Sequence, residues 1–181
     1  MRRYIYFVFL LCCAVNLLLT SCVRQKYVVM DMVHHNPGEA MTESKFLDPS
    51  FLKKNEYGAK VFFLFEAAQF GIDWKSFDPS LFPDTTEAGR WVAEKAEIIH
   101  KKYDAAKKED LQVYCMLDML VLPSLLVEKH RTELTNEQGK LDISKPYTQL
   151  CIRELMKEMF ETFPQLDGLV IRTGETYLHD A

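Results

Sequence analysis

The sequence predicts an α/β domain of about four strand–helix units with parallel strands. Three observations carry that reading. Four short runs are apolar nearly throughout and rich in β-formers: residues 27–33 (YVVMDMV), 59–66 (AKVFFLFE), 111–122 (LQVYCMLDMLVL) and 166–173 (LDGLVIRT). Segments with helical signals lie between them, giving the order β-α-β-α-β-α-β. Runs of that kind are covered on both faces, as parallel strands under helices are. Composition agrees. With 181 residues, 48% hydrophobic and 27% charged, the chain can fill a core and is not a disordered polymer.

The elements follow in order. The first strand ends at His34-His35-Asn36-Pro37-Gly38, a loop signal. Asp48-Pro49 opens a short helix: Asp48 caps it, Pro49 fits its first turn, and Gly58 is expected to close it. The second strand comes next. Asp84, with Glu87 three residues on, reads as a capping box. Ala88, Val92, Ala96, Ile99, Tyr103 and Ala106 then recur at spacings of three and four, an amphipathic helix of about 20 residues. The third strand should end near Asp118. Pro123 and Ser124 start a short helix, and residues 136–139 (NEQG) form a turn. A long helix over residues 145–163 buries Tyr147, Cys151, Leu155, Met159 and Phe163, and Pro164 stops it. The fourth strand leads directly into Gly174-Glu175.

Several classes are excluded early. Net charge is −4 with no long Lys/Arg run, so no nucleic-acid partner is expected. No Gly-rich turn follows a strand, so there is neither a dinucleotide fingerprint nor a phosphate loop, and no cofactor is expected. The cysteines show no metal-finger spacing. The architectures left are a (β/α)8 barrel and an open doubly wound sheet.

The N-terminus reads as an export signal. Arg2 and Arg3 precede an apolar run over residues 4–19, broken only by Asn16. Its 16 residues fall short of the ~20 that span a bilayer as a helix, and an uncleaved membrane anchor is the alternative. Leu19-Thr20-Ser21-Cys22 follows and resembles the lipobox of bacterial lipoproteins. The resemblance implies a signal peptide over residues 1–21, a diacylglyceryl thioether on Cys22, and a domain over residues 22–181 anchored to a membrane of the cell envelope. Removing 21 residues from 181 leaves 160, with 20 Lys+Arg against 26 Asp+Glu, net −6. Of the other cysteines in that domain, Cys115 lies in a strand run and Cys151 on an apolar helix face. Both read as buried thiols, with a disulfide as the alternative.

Polar residues gather after the strands. His34, His35, Asn36 and Glu39 follow the first, Glu66 and Gln69 the second, Asp118 ends the third, and Arg172, Glu175, Tyr177 and His179 follow the fourth. The C-terminal ends of parallel strands are where barrel enzymes place their sites, and this inventory suits a polyhydroxylated ligand. The bland readings are a loop His pair, a strand-end cap at Asp118, and a surface ion pair at Glu175.

The segments His34-His35-Asn36-Pro37-Gly38-Glu39 and Asp167-Gly168-Leu169-Val170-Ile171-Arg172-Thr173-Gly174-Glu175-Thr176-Tyr177 resemble parts of bacterial envelope proteins with a glycoside hydrolase-type (β/α)8 barrel. The last segment is similar to the region that carries the acid carboxylate in alpha-glucuronidases. The resemblance implies a partial barrel of about four βα units and a glycan or oligosaccharide partner. Glu175 would be the acid and Arg172 its neighbour toward the substrate. His34, His35, Asn36, Glu39 and Glu66 would belong to the binding rim, and the second carboxylate would lie on a later strand, absent here unless Asp118 or Glu66 substitutes. A full barrel takes about 250 residues, so the expectation is a truncated, inactive half with open edges prone to self-association. The alternative is a non-catalytic envelope lipoprotein that binds a glycan or a protein at the same rim.

The lipid anchor gives the first test. Cys22→Ser removes the thiol that would be acylated. The variant should carry no fatty-acid label and stay largely uncut in an expressing bacterium; equal labelling of both proteins would exclude acylation at Cys22.

Overall fold

The computed structural model describes residues 28–32, 45–63 and 66–172. Four strands form one sheet: β1 (Met30–Asp31), β2 (Ala59–Phe62), β3 (Gln112–Asp118) and β4 (Gly168–Arg172). All neighbours are parallel and the order is β1-β2-β3-β4. The helices are α1 (Pro49–Lys54), α2 (Glu87–Lys108), α3 (Ser124–Lys129), α4 (Arg131–Leu134) and α5 (Pro146–Thr162). Short 3-10 turns lie at Lys45–Leu47 and Ala68–Gly71. This is the α/β fold with parallel strands that the apolar runs predict, and the barrel itself is not shown.

Register sorts the side chains. Lys60 pairs with Val113, Phe62 with Cys115 and Leu169 with Cys115, so these residues share a face with Leu117. That face meets the helices. Leu52 of α1, Ile99, Tyr103 and Ala106 of α2, Cys151, Leu155 and Met159 of α5, and Phe163 just past its end all join one buried cluster with it. Tyr103 lies at the centre, its ring 4.8 Å from Phe62 and 5.6 Å from Phe163. The apolar stripes read from the sequence are the ones buried, with Ala88, Ala96 and Tyr147 at their half-buried margins. On the other face Tyr114, Met116 and Val170 are half-buried.

Several local expectations change. The capping residue of α2 is Thr86, not Asp84. Its hydroxyl oxygen accepts from the Gly89 amide at 3.0 Å and its O–H donates to the Pro83 carbonyl at 2.7 Å. A Cβ on Gly89 would lie 2.1 Å from the Pro83 carbonyl oxygen, so the residue is glycine because the loop closes over the helix start. Asp48 and Pro49 begin α1 as expected. Gly58 does not end it: Asn55 caps it, and Glu56 at φ 65° makes the left-handed turn. Gly58 instead lets β2 approach the first strand, where a Cβ would sit 2.9 Å from Val28 Cγ1. The first strand is shorter than residues 27–33, with pairing at Met30 and Asp31. The second ends at Phe62, and Glu66 falls in the turn beyond it.

Asp31 and Lys60 stand opposite each other on β1 and β2, both buried, with Lys60 Nζ 2.7 Å from Asp31 Oδ2. Lys60 also donates to the Phe46 carbonyl at 3.0 Å and sits 5.5 Å from the Phe62 ring centroid. Two charges inside a core are tolerable only as a hydrogen-bonded pair. Asp31→Ala strands the ammonium and should cost about 3–5 kcal/mol in chemical denaturation, whereas Asp31→Leu with Lys60→Met should recover most of that loss. A single variant as stable as wild type would show that the pair carries no structural role.

Candidate functional site

The C-terminal ends of β3 and β4 hold the best-formed polar contact of the described rim. Asp118 and Arg172 occupy paired positions in the register, so both side chains leave the same face. Arg172 Nε donates to Asp118 Oδ1 at 2.6 Å and Nη2 to Oδ2 at 2.5 Å. This is the fork geometry in which a guanidinium holds a carboxylate through two parallel hydrogen bonds. Asp118 is buried, and the Arg172 side chain keeps 28% of its surface exposed. Two residues chosen separately from the sequence thus form one unit. The carboxylate has both oxygens engaged, an arrangement suited to aiming Arg172 rather than to shuttling a proton.

Glu66 does not join that unit. It pairs with Lys102 of α2, and its backbone carbonyl accepts from the Tyr103 hydroxyl at 2.9 Å. The chain has left β2 by then and turned toward the helix layer. Glu66 is therefore not shown as the partner carboxylate to Asp118. Gln69 lies in the 3-10 turn after β2, and its Oε1 is buried without a hydrogen-bond partner among the described residues. Cys22, His34, His35, Asn36, Glu39, Glu175, Tyr177 and His179 fall outside the described residues.

The two described thiols lie in the core. Cys115 and Cys151 are buried and free of any disulfide. Burial pushes each thiol up to about 11. The Tyr103 hydroxyl, against Cys115, is raised far above the ordinary phenol range, chiefly by burial. No group of three or more His, Cys, Asp or Glu among the described residues is placed to hold a metal ion. No described helix is long and apolar enough to cross a membrane.

A second buried carboxylate, besides Asp31, has no signal in the sequence. Glu158 of α5 is buried, and its Oε1 accepts from Ser76 Oγ at 2.6 Å and from the Phe77 amide at 3.2 Å. Burial raises its pKa above the usual carboxylate value, against the lowering effect of the Ser76 hydrogen bond. A raised acid can mark a catalytic group, but Glu158 sits on the helix layer and fastens the loop after β2. Nothing in the helical repeat signals it, because its partners lie about 80 residues earlier in the chain.

Comparison with protein families, with curated proteins and with solved structures finds no match for the chain.

Glu158 predicts a pH effect with a definite sign. An acid whose folded pKa exceeds its unfolded value favours the fold below the unfolded pKa and loses that advantage as pH rises through the folded pKa. Glu158→Gln keeps an acceptor for Ser76 and Phe77 but no longer titrates. Between about pH 4 and about pH 7 its melting temperature relative to wild type should therefore rise. A difference independent of pH would show that Glu158 titrates alike in both states.

Proposed function

We propose that this chain is a lipid-anchored envelope protein whose strand-end rim binds a glycan carrying an acidic sugar, with Arg172 as the anion-recognising group. The observation that carries the reading is the forked Asp118–Arg172 pair at the carboxyl ends of two adjacent parallel strands. Parallel α/β proteins bind their ligands at such ends. A guanidinium fixed by a carboxylate behind it is pre-oriented toward a second anion, and charge-assisted hydrogen bonds to a uronate are stronger than those to a neutral hydroxyl. The anchor enters through the resemblance at Cys22, and the glycan through the resemblance around Arg172 and Glu175.

The finer fold belongs to the same proposal. A sheet in sequential order with its connecting helices in one cluster is what the first four units of a (β/α)8 barrel would have. A doubly wound sheet would reverse its strand order at a switch point. Binding is favoured over hydrolysis within the described rim, because cleavage of a glycoside takes two carboxylates set across the bond. Asp118 is committed to Arg172, and Glu66 to Lys102. His34, His35, Asn36, Glu39 and Glu175 complete the proposed rim.

Calorimetric titration of the mature protein with a glucuronate-bearing oligosaccharide tests the reading. Arg172→Ala alone would leave Asp118 buried without its partner, so the double variant Arg172→Ala, Asp118→Asn is the cleaner probe. It should bind at least about tenfold more weakly than wild type, the scale expected for one lost charge-assisted contact. Unaltered affinity in a folded double variant, or no binding by wild type, would overturn the proposal.

A further inference from the structure

The loops that leave the carboxyl ends of β2 and β3 enclose a second feature, a cavity of about 260 Å³. Phe70 and Trp74 come from the first loop, and Ser124 stands where the second enters α3. Phe82 and Trp91 complete the wall at the start of α2. No charged side chain lines it among the described residues; its polar groups are the Gln69 amide, the Ser124 hydroxyl and the indole N–H groups of Trp74 and Trp91. Gln69 Oε1 is the atom already noted as buried and without a partner among the described residues. Native folds rarely leave a buried acceptor unpaired, so each such atom asks what supplies its donor. Trp74 is 1% exposed and forms the deep wall, whereas Trp91 is 44% exposed. Lys95 Nζ lies 5.4 Å from the Trp91 ring centroid.

We propose that this cavity seats a neutral pyranose ring, its C–H face against the aromatic wall and one hydroxyl donating to Gln69 Oε1. The chemistry selects that class. An apolar pocket with a few placed polar groups is the usual form of a small-molecule site. An ion would find no countercharge there. A pure hydrocarbon would leave the Gln69 oxygen unpaired. A single water, whose share of liquid volume is about 30 Å³, would pair with Gln69 but leave the space along the aromatic wall unfilled. A sugar ring supplies both an apolar face and donors. The inference rests on the glycan reading above and adds a neutral subsite to it, distinct from the one centred on Arg172.

The test uses an internal probe, because both tryptophans of the chain line the cavity. Methyl glycosides of glucose, galactose, mannose and xylose are titrated into the mature protein while tryptophan emission is followed, with cyclohexanol as the apolar control. At least one glycoside should give a saturable change below about 50 mM, a weak single-ring affinity. Gln69→Leu should weaken that binding about tenfold or more, since a site built around a hydroxyl discriminates through the group it pairs. Its melting temperature should not fall, because the change removes an unpaired acceptor. Trp91→Ala, a second variant at the exposed wall, should also lose binding. No saturable response to any of the four glycosides would overturn the proposal. So would equal affinity in a folded Gln69→Leu variant, or cyclohexanol matching the best glycoside. The two readings fail separately. Uronate binding that needs Arg172 and survives Gln69→Leu and Trp91→Ala would refute this subsite alone. Methyl glycoside binding that needs Gln69, with no uronate binding by wild type, would refute the Arg172 site alone.

Discussion

Every connecting helix long enough to pack returns to the same side of the sheet, and the rest of the molecule follows from that constraint. The strands run parallel in sequential order, and right-handed crossovers between such strands lay their helices on one face. Tyr103 is where the layers lock. Its ring touches Phe62 of β2 and Phe163 at the end of α5, and its hydroxyl reaches the carbonyl of Glu66 just beyond β2. One residue thus joins the sheet, two helices and the turn that starts the second crossover. Apolar packing is concentrated on this face, while Asp118 and Arg172 emerge on the other.

Burial on the helix face also explains the Asp31–Lys60 pair. β1 contributes two paired residues, too few to fix its own register by apolar contact. A slip of one residue would turn Asp31 to the opposite face and leave the buried Lys60 ammonium without its carboxylate. The ion pair thus disfavours wrong alignments, a role separate from net stability, which buried pairs often fail to add. Gly58 serves the same alignment from the backbone. Its N–H donates to the Val29 carbonyl at 2.9 Å, at a spacing that a larger residue would disturb.

Much of this was legible in the sequence wherever a repeat carried it. The stripes of α2 and α5 rest on periodicity and the three longer strands on apolar runs, and all stand in the segments read for them, with β2 ending early at Phe62. Asp118 and Arg172 were each visible as polar residues at a strand end. Their union was not, because it depends on a register between strands 54 residues apart. Asp31 was hidden for the opposite reason, as one charge inside an apolar run whose partner lay 29 residues away. The cap is Thr86 and not Asp84: its hydroxyl accepts from Gly89 and donates to the Pro83 carbonyl, a pair of bonds that an ionised carboxylate cannot make. Glu66 would reach the rim only if the second strand stayed extended to it, and β2 ends at Phe62. The tryptophans gave no pattern at all: a lone aromatic has no spacing to read.

The two inert thiols give the molecule a built-in gauge of its own opening. Cys115 sits in the middle of β3 and Cys151 on α5, one in each layer. Both are closed to solvent and protonated in the fold. A thiol reagent meets a reactive thiolate only when the layer around it parts. If sheet and helices separate as one unit, the two cysteines share a single rate of modification. If α5 peels away first, Cys151 reacts ahead of Cys115, and the gap between them measures how strongly the aromatic contacts at Tyr103 couple the layers.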